Sequence, residues 1–223
     1  MKKYIQKKNK NKFYIKGIQV YLKDPLGKFS IENLQRCLSV AINKVPKHLL
    51  SNLDIIYIGQ FPELNRRKLQ ALYQDSSVLM TNDYDRPEDM IDDLVHEIAH
   101  SIEETHAAKI YFDKKIEKEF LRKRRSMWQI LIDNGHDINL SYFLNPDYDQ
   151  NFDLMLYQDV GYPKLSSLTS TLFYSPYAAT SLREYFANGF EAFFMKEDVT
   201  RLKSISPEIY KKMIILLDNI GEQ

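Results

Sequence analysis

The sequence predicts an α+β fold in which a small mixed β-sheet packs on one chemically active helix and the second half is mostly helical. Three observations predict it. Strand-like runs are confined to the first 81 residues, segments of helical periodicity dominate after residue 85, and the pentapeptide His96-Glu97-Ile98-Ala99-His100 lies in the first of those segments. At 223 residues we expect one domain, with an N-terminal strand–helix portion (1–50) and a core (51–223).

The first half contains the predicted strands. Residues 13–22 alternate apolar and polar side chains and predict one strand. Ser30 is a suitable N-cap for a helix that stops near Pro46. Residues 53–58 predict a second strand and residues 77–81 a third.

The helix that follows carries the pentapeptide. Pro87 suits its first turn, and the acids among residues 88–93 favour its positive N-terminal end. An apolar stripe from Met90 to Ile102 is wide enough to bury the segment. His96 and His100 are four residues apart, so they lie on one face about one turn apart, and both imidazoles can bind one metal ion.

The residue types of the pentapeptide point to zinc chemistry. Two imidazoles, one further protein ligand and an open fourth position are typical of catalytic zinc sites. Glu97 leaves the helix on a neighbouring side, where its carboxylate can take a proton from water without binding the metal. The sequence therefore predicts Zn²⁺-dependent hydrolysis of a peptide bond, with a peptide or protein as the substrate.

Two residues are candidates for the third ligand. His106 follows His96 by ten residues, a spacing typical of metzincins, but Glu103 stands where a glycine breaks the metzincin helix. On an unbroken helix His106 is rotated by about 240° from His100. Glu184 lies in the first turn of an aromatic helix capped by Thr180 or Ser181, where an acid is favourable even without a metal. The residues alone leave both candidates open.

The second half is predicted to be helical at both ends. Residues 113–133 form a long amphipathic helix that ends at Asn134-Gly135, and Ser206-Pro207 opens a last helix. The basic run Arg122–Arg125 is flanked by acids, which indicates a solvated face rather than a nucleic-acid surface. Residues 136–176 give no clear element.

Composition bounds the class of protein. The net charge of +1 provides no general attraction to nucleic acid. Cys37 is the single cysteine, so no intrachain disulfide is expected. There is no apolar run of about 18 residues, so we expect no membrane span. The lysine-rich residues 1–12 precede no apolar stretch of signal-peptide length, so the default expectation is a cytoplasmic protein, with secretion by another route left open.

Two segments carry a resemblance to a known family. Residues 177–190 place Tyr177 seven positions before Glu184, which is followed by Tyr-Phe-Ala-Asn-Gly-Phe. Together with residues 96–104, this segment resembles the catalytic domain of the anthrax lethal factor family of zinc metallopeptidases, to which the Pro-Pro endopeptidases are related. Members of that family have a His-Glu-x-x-His helix, a later helix opened by a glutamate, and a tyrosine seven residues before it. Asn188 stands where the family usually has a glutamate.

The resemblance implies a zincin-like metallopeptidase domain over roughly residues 50–220. It implies that His96, His100 and Glu184 bind Zn²⁺, that Glu97 is the general base and that Tyr177 stabilises the oxyanion. The strand at 77–81 is expected to form the cleft edge that pairs with an extended peptide.

Other interpretations remain open. One is a metzincin-like protease with His106 as the third ligand, and another is an inactive zincin domain that binds a peptide without cutting it. A third is a nucleic-acid-binding protein that uses Arg122–Arg125. Glu103 and Glu104 either orient a ligand histidine or lie on a solvated helix face.

Overall fold

The structure is a computed structural model that describes residues 11–195 and 198–218. The chain divides into two compact units, one up to Thr105 and one from His106 onward. Most of the lysine-rich N-terminal segment, residues 1–10, lies outside the described residues.

Within the described residues, the first unit contains five strands in one mixed sheet. They are β1 (Lys12–Ile15), β2 (Ile18–Leu22), β3 (Ile55–Ile58), β4 (Ala71–Gln74) and β5 (Ser77–Met80), in the spatial order β1-β2-β3-β5-β4. The central strands β2, β3 and β5 run parallel, and each edge strand pairs antiparallel with its neighbour. The predicted α+β class with a small mixed sheet is confirmed.

The single strand predicted at residues 13–22 is instead a hairpin. Lys16 and Gly17 have φ values of 49° and 91°, the backbone conformation of a tight two-residue hairpin turn. Ile15 directly precedes the turn and Ile18 directly follows it. The apolar positions therefore change from odd-numbered residues before the turn to even-numbered residues after it. That change of phase is the sequence signal for the turn.

A second hairpin joins β4 to β5 through Asp75 and Ser76, which have φ values of 48° and 57°. The sequence does not predict β4. Because β4 takes the outer position, β5 is paired on both sides, with β3 and with β4. The expectation that residues 77–81 form the edge of a cleft is therefore wrong, and β4 is the strand at that edge of the sheet.

The helices of the first unit begin close to where local signals predict. Helix α1 (Ile31–Lys44) is capped by Ser30, whose Oγ accepts a hydrogen bond from the Asn33 amide at 3.2 Å. A short 3₁₀ turn (Lys47–Leu50) and helix α2 (Pro62–Arg67) follow it in the chain. Helix α3 (Pro87–Tyr111) begins at the predicted proline and continues without a break past the end of the first unit.

All regular structure described from residue 112 onward is helical. The elements are α4 (Lys115–Asp133), α5 (Ser141–Leu144), α6 (Gln150–Met155), a π-helical turn (Leu156–Val160), α7 (Tyr162–Thr169), a 3₁₀ turn (Tyr177–Ala179), α8 (Leu182–Met195), α9 (Val199–Ile205) and α10 (Pro207–Asp218). Three short helices and the π turn thus occupy most of residues 136–176, which the sequence leaves unassigned. The predicted end of α4 is confirmed, since Gly135 follows it with a φ of 85°.

The basic run on α4 is divided between the interior and the surface of the second unit. Lys123 and Arg124 are buried, whereas Arg122 and Arg125 are exposed. The Arg124 guanidinium donates to the carbonyl oxygens of Asn145, at 2.7 Å, and Tyr142. The predicted solvated face is therefore correct for only half of the run.

Each unit has an apolar core of its own. Val20, Ile56 and Val78, on three neighbouring strands, are fully buried in the first unit, and Phe120 and Phe186 are fully buried in the second. Among the described residues, no helix combines the length and the apolar character that crossing a membrane requires.

Candidate metal centre

The two histidines and the glutamate of the pentapeptide project from the middle turns of helix α3. Ile98 and Ala99 are fully buried, which fixes the rotation of the helix. His100 and Glu97 are each 8 % exposed and His96 is half-buried. The two imidazole centroids are 5.2 Å apart, as expected for side chains one helical turn apart on one face.

Glu103 holds one of these histidines in a defined orientation. Its Oε2 lies 2.7 Å from Nδ1 of His100, and the Glu103 side chain is buried. A carboxylate at this distance favours the tautomer with the proton on Nδ1 and leaves the lone pair on Nε2. The sequence left the role of Glu103 open between orienting a histidine and solvation, and the structure shows the first arrangement.

Glu97 is held by the edge strand of the sheet. Its Oε2 accepts a hydrogen bond of 2.6 Å from the backbone amide of Tyr73, which lies on β4. The carboxylate of the candidate base therefore contacts the outer edge of the sheet.

Glu104 does not contact the histidines through any of its described hydrogen bonds. It accepts from the Tyr73 hydroxyl and, at 2.6 Å, from Nδ2 of Asn52. Asn52 Nδ2 also lies 2.7 Å from the Tyr73 hydroxyl oxygen, so the three side chains bond one another. Burial, reinforced by the hydrogen bond to Glu104, raises the pKa of the Tyr73 phenol to about 12, which keeps this hydroxyl a donor.

Glu184 lies in the first turn of α8, as the sequence predicts. Of the two predicted caps, Ser181 accepts the Glu184 amide hydrogen at 3.2 Å. Tyr185 and Phe186 are buried on the inner face of the helix, and Glu184 itself is half-buried. A Cβ atom at Gly189 would overlap Ile209, so glycine permits the close approach of α8 and α10.

The ligand-type atoms of three predicted residues lie near one another. One side-chain nitrogen or oxygen from each of His96, His100 and Glu184 is within 4.8 Å of the other two. Two imidazole nitrogens and one carboxylate oxygen are a donor set that suits Zn²⁺. The bond between Glu103 and His100 fits this ion as well, because metal-binding histidines commonly donate their second N–H to a carboxylate.

His106 is not a member of this group. Helix α3 runs unbroken through residue 106 to Tyr111, so the chain reversal that a metzincin-type third histidine needs is absent there. The condition for the His106 alternative, a helix that ends after His100, is therefore not met.

The tyrosines around the predicted oxyanion donor have different environments. Tyr185 is buried, its hydroxyl donates to Glu119 at 2.7 Å, and burial raises its pKa well above the usual value. The Tyr174 ring lies 4.6 Å below the Arg201 guanidinium. Tyr177 is half-buried in the 3₁₀ turn before α8, and its assignment as the oxyanion donor stays a prediction.

Asn188 has a local partner. Its Oδ1 accepts a hydrogen bond of 2.5 Å from the hydroxyl of Ser175, in the segment that leads into the Tyr177 turn. At this position the chain departs from the family pattern, and the asparagine side chain links α8 to that segment.

Sequence reasoning missed Tyr73 and Asn52. Both residues bond acids of α3, and these bonds depend on the position of β4 beside that helix. The sequence does not predict β4. The signal was present: Leu72-Tyr73 and Val78-Leu79 flank the polar pair Asp75-Ser76 at hairpin spacing.

Comparisons with known proteins do not extend these observations. The chain matches no family model, no curated protein and no solved structure. The resemblance to the lethal factor family accordingly rests on the two short motifs around residues 96–104 and 177–190.

Proposed function

We propose that this protein is a zinc-dependent endopeptidase with a zincin-like fold, similar to the lethal factor family. The observation that carries the proposal is the proximity of ligand-type atoms from His96, His100 and Glu184. Glu184 is distant in the sequence from the two histidines. The buried carboxylate of Glu103 against His100 supports it.

His96, His100 and Glu184 are the residues that would hold the ion. Bound Zn²⁺ would supply Lewis acidity, which makes water an effective nucleophile at neutral pH. These roles fit the residue types, since two neutral imidazoles and one carboxylate are a common ligand set of hydrolytic zinc sites.

Glu97 would act as the general base. Its carboxylate accepts a proton as the water oxygen forms a bond to the scissile carbonyl carbon. The same proton passes to the leaving amine when the C–N bond breaks, so Glu97 returns to its starting state. The Tyr177 hydroxyl would donate a hydrogen bond to the carbonyl oxygen as negative charge develops on it.

An extended peptide would bind along β4. This strand is at the edge of the sheet, and because its outward amide at Tyr73 is bonded to Glu97, a peptide would pair with other main-chain groups of the strand. Main-chain pairing with such an edge gives affinity with little dependence on the peptide sequence. We therefore expect the scissile bond to lie beside the Glu97 carboxylate.

Metal content tests the ligand set. We expect wild type and His106→Ala to retain one zinc per chain, and Glu184→Ala to lose it, when elemental mass spectrometry is applied to identically purified samples. His106→Ala is the matched control, because it removes an imidazole from the same helix. Wild type that takes up no zinc when it is supplied would overturn the proposal.

Cleavage of a synthetic peptide library tests the reaction. We expect Glu97→Gln to bind zinc as wild type does and to lower kcat by about 10²–10⁴-fold, because the proton acceptor is lost. Equal cleavage by wild type and Glu97→Gln would show that Glu97 is not the base.

A further inference from the structure

Tyr73 contacts α3 through two different groups. Its backbone amide donates to Glu97, and its hydroxyl donates to Glu104. These two acids are seven residues apart, so they lie on the same face of the helix, two turns and about 10 Å apart along its axis. One residue of the edge strand therefore spans two turns of the helix that carries the candidate base.

The orientation of the Tyr73 amide follows from the pairing of β4. Residues of a strand turn their amides alternately to opposite sides, and Gln70, three positions earlier, accepts from Thr81 on the β5 side. The amides of Leu72 and Gln74 therefore face β5, whereas that of Tyr73 faces outward, where Glu97 accepts it at 2.6 Å.

The side chain of Tyr73 is fixed by two partners besides the sheet. Asn52 donates to the Tyr73 hydroxyl at 2.7 Å and to Glu104 at 2.6 Å. Ser76, in the hairpin turn, donates to Oδ1 of Asn52 at 3.4 Å. The phenol, the carboxylate and the amide thus form a closed set of hydrogen bonds, and we call Tyr73, Glu104 and Asn52 the Tyr73 clamp.

We infer that Tyr73 is a positioning residue for Glu97: the Tyr73 clamp fixes the edge strand so that the Tyr73 amide holds the Glu97 carboxylate in place. This inference rests on the proposed role of Glu97 as general base. It assigns to the side chain of Tyr73 an effect on catalysis that is transmitted through its own backbone.

Amide hydrogen exchange, resolved by residue with NMR, tests the positioning without relying on activity. In Tyr73→Phe and in Glu104→Ala of the full chain, we expect exchange at the amide of position 73 to become about tenfold faster. The amides of Leu72 and Gln74 should exchange as in wild type, because β5 accepts them. Tyr14→Phe is the matched control, since it removes a tyrosine hydroxyl from another edge strand.

Steady-state kinetics on a peptide from the library test the catalytic consequence. Both clamp variants should lower kcat by about tenfold to a hundredfold, because a displaced base loses its alignment. Zinc content should be unchanged, and KM should stay within about twofold if the edge strand still binds the peptide. Glu104→Ala removes an exposed side chain, so it keeps the test valid if Tyr73→Phe does not fold.

The outcomes separate this inference from the proposed function. Unchanged exchange at position 73 in both clamp variants overturns the inference, and so does faster exchange with an unchanged kcat. If exchange is faster but wild type cleaves no peptide, the proposed function fails, and with it the catalytic role of Tyr73.

Discussion

Two adjacent glutamates on α3 show how one residue step changes the role of a side chain. Glu103 is buried and bonds Nδ1 of His100, whereas Glu104 is exposed and bonds Tyr73 and Asn52. Adjacent helical residues point about 100° apart, which is enough to direct one acid to the candidate metal ligands and the other to the sheet. The two acids can therefore be tested separately.

We expect Glu103→Gln to weaken zinc binding by about 10–100-fold. The glutamine can still accept the Nδ1 proton of His100, but it lacks the negative charge that makes the imidazole a stronger ligand. Competition with a chelator of known affinity measures the change.

Glu104→Gln is the matched control for this measurement, because it makes the same change one residue away. Its zinc affinity should remain within about twofold of wild type, since its described partners are Tyr73 and Asn52. An equal loss in both variants would mean that Glu103 acts through the general charge of the helix and not through His100.

Helix α4 is an element whose amphipathic pattern includes cations on its inner face. Arg124 is 1 % exposed, and its guanidinium lies 4.2 Å from the centroid of the Phe152 ring. Burial lowers its pKa to about 10, although the nearby Asp149 carboxylate raises it, so the group remains charged at neutral pH. Its bonds to Asn145 and Tyr142 tie the segment before α6 to α4.

Arg124→Ala should lower the free energy of unfolding by about 3 kcal/mol or more, because it leaves carbonyl oxygens without a donor and opens a cavity. Arg125→Ala, at the exposed neighbouring position, should change it by no more than about 0.5 kcal/mol. Urea unfolding of both variants gives the comparison. Similar losses of unfolding free energy in Arg124→Ala and Arg125→Ala would contradict the buried position and the hydrogen bonds of Arg124.

Local signals account for the elements that the sequence predicts correctly. Groups within one turn mark the helix starts at Ser30, Pro87, Ser181 and Pro207. The positive φ of Gly135 marks a helix end. Strand β4 and the buried half of the basic run were missed for the opposite reason. A four-residue strand is defined by the strand with which it pairs. The burial of a cation depends on carbonyl groups that are distant from it in the sequence.

The candidate site divides in the same way. His96, Glu97 and His100 are fixed relative to one another by helix geometry alone, so their spacing could be predicted. Glu184 came from a resemblance, because nothing local connects it to the pentapeptide. Tyr73 could not be found from the motif, since its contact with Glu97 exists only after the sheet has formed.

At the scale of the whole molecule, a buried polar network links three helices of the second unit. The Lys123 ammonium, on α4, donates to the Tyr185 hydroxyl at 2.6 Å and to Ser206 at 2.9 Å. Tyr185 in turn donates to Glu119, which also accepts the Glu208 amide at 3.2 Å. These bonds join α4, α8 and the start of α10, so the protonation of Lys123 is coupled to the folding of the unit.

Burial lowers the pKa of Lys123 to about 8, although the Glu119 carboxylate raises it. Between this value and the unfolded value of about 10.4, the unfolded chain binds more protons than the folded one. The free energy of unfolding should therefore rise with pH, by about 1.5 kcal/mol from pH 8 to 9.5, through this group alone. Urea unfolding across that range should show the rise in wild type and in Lys118→Met, which changes an exposed lysine on the same helix. In Lys123→Met this contribution should be missing, and a pH dependence equal to that of wild type would contradict the assignment.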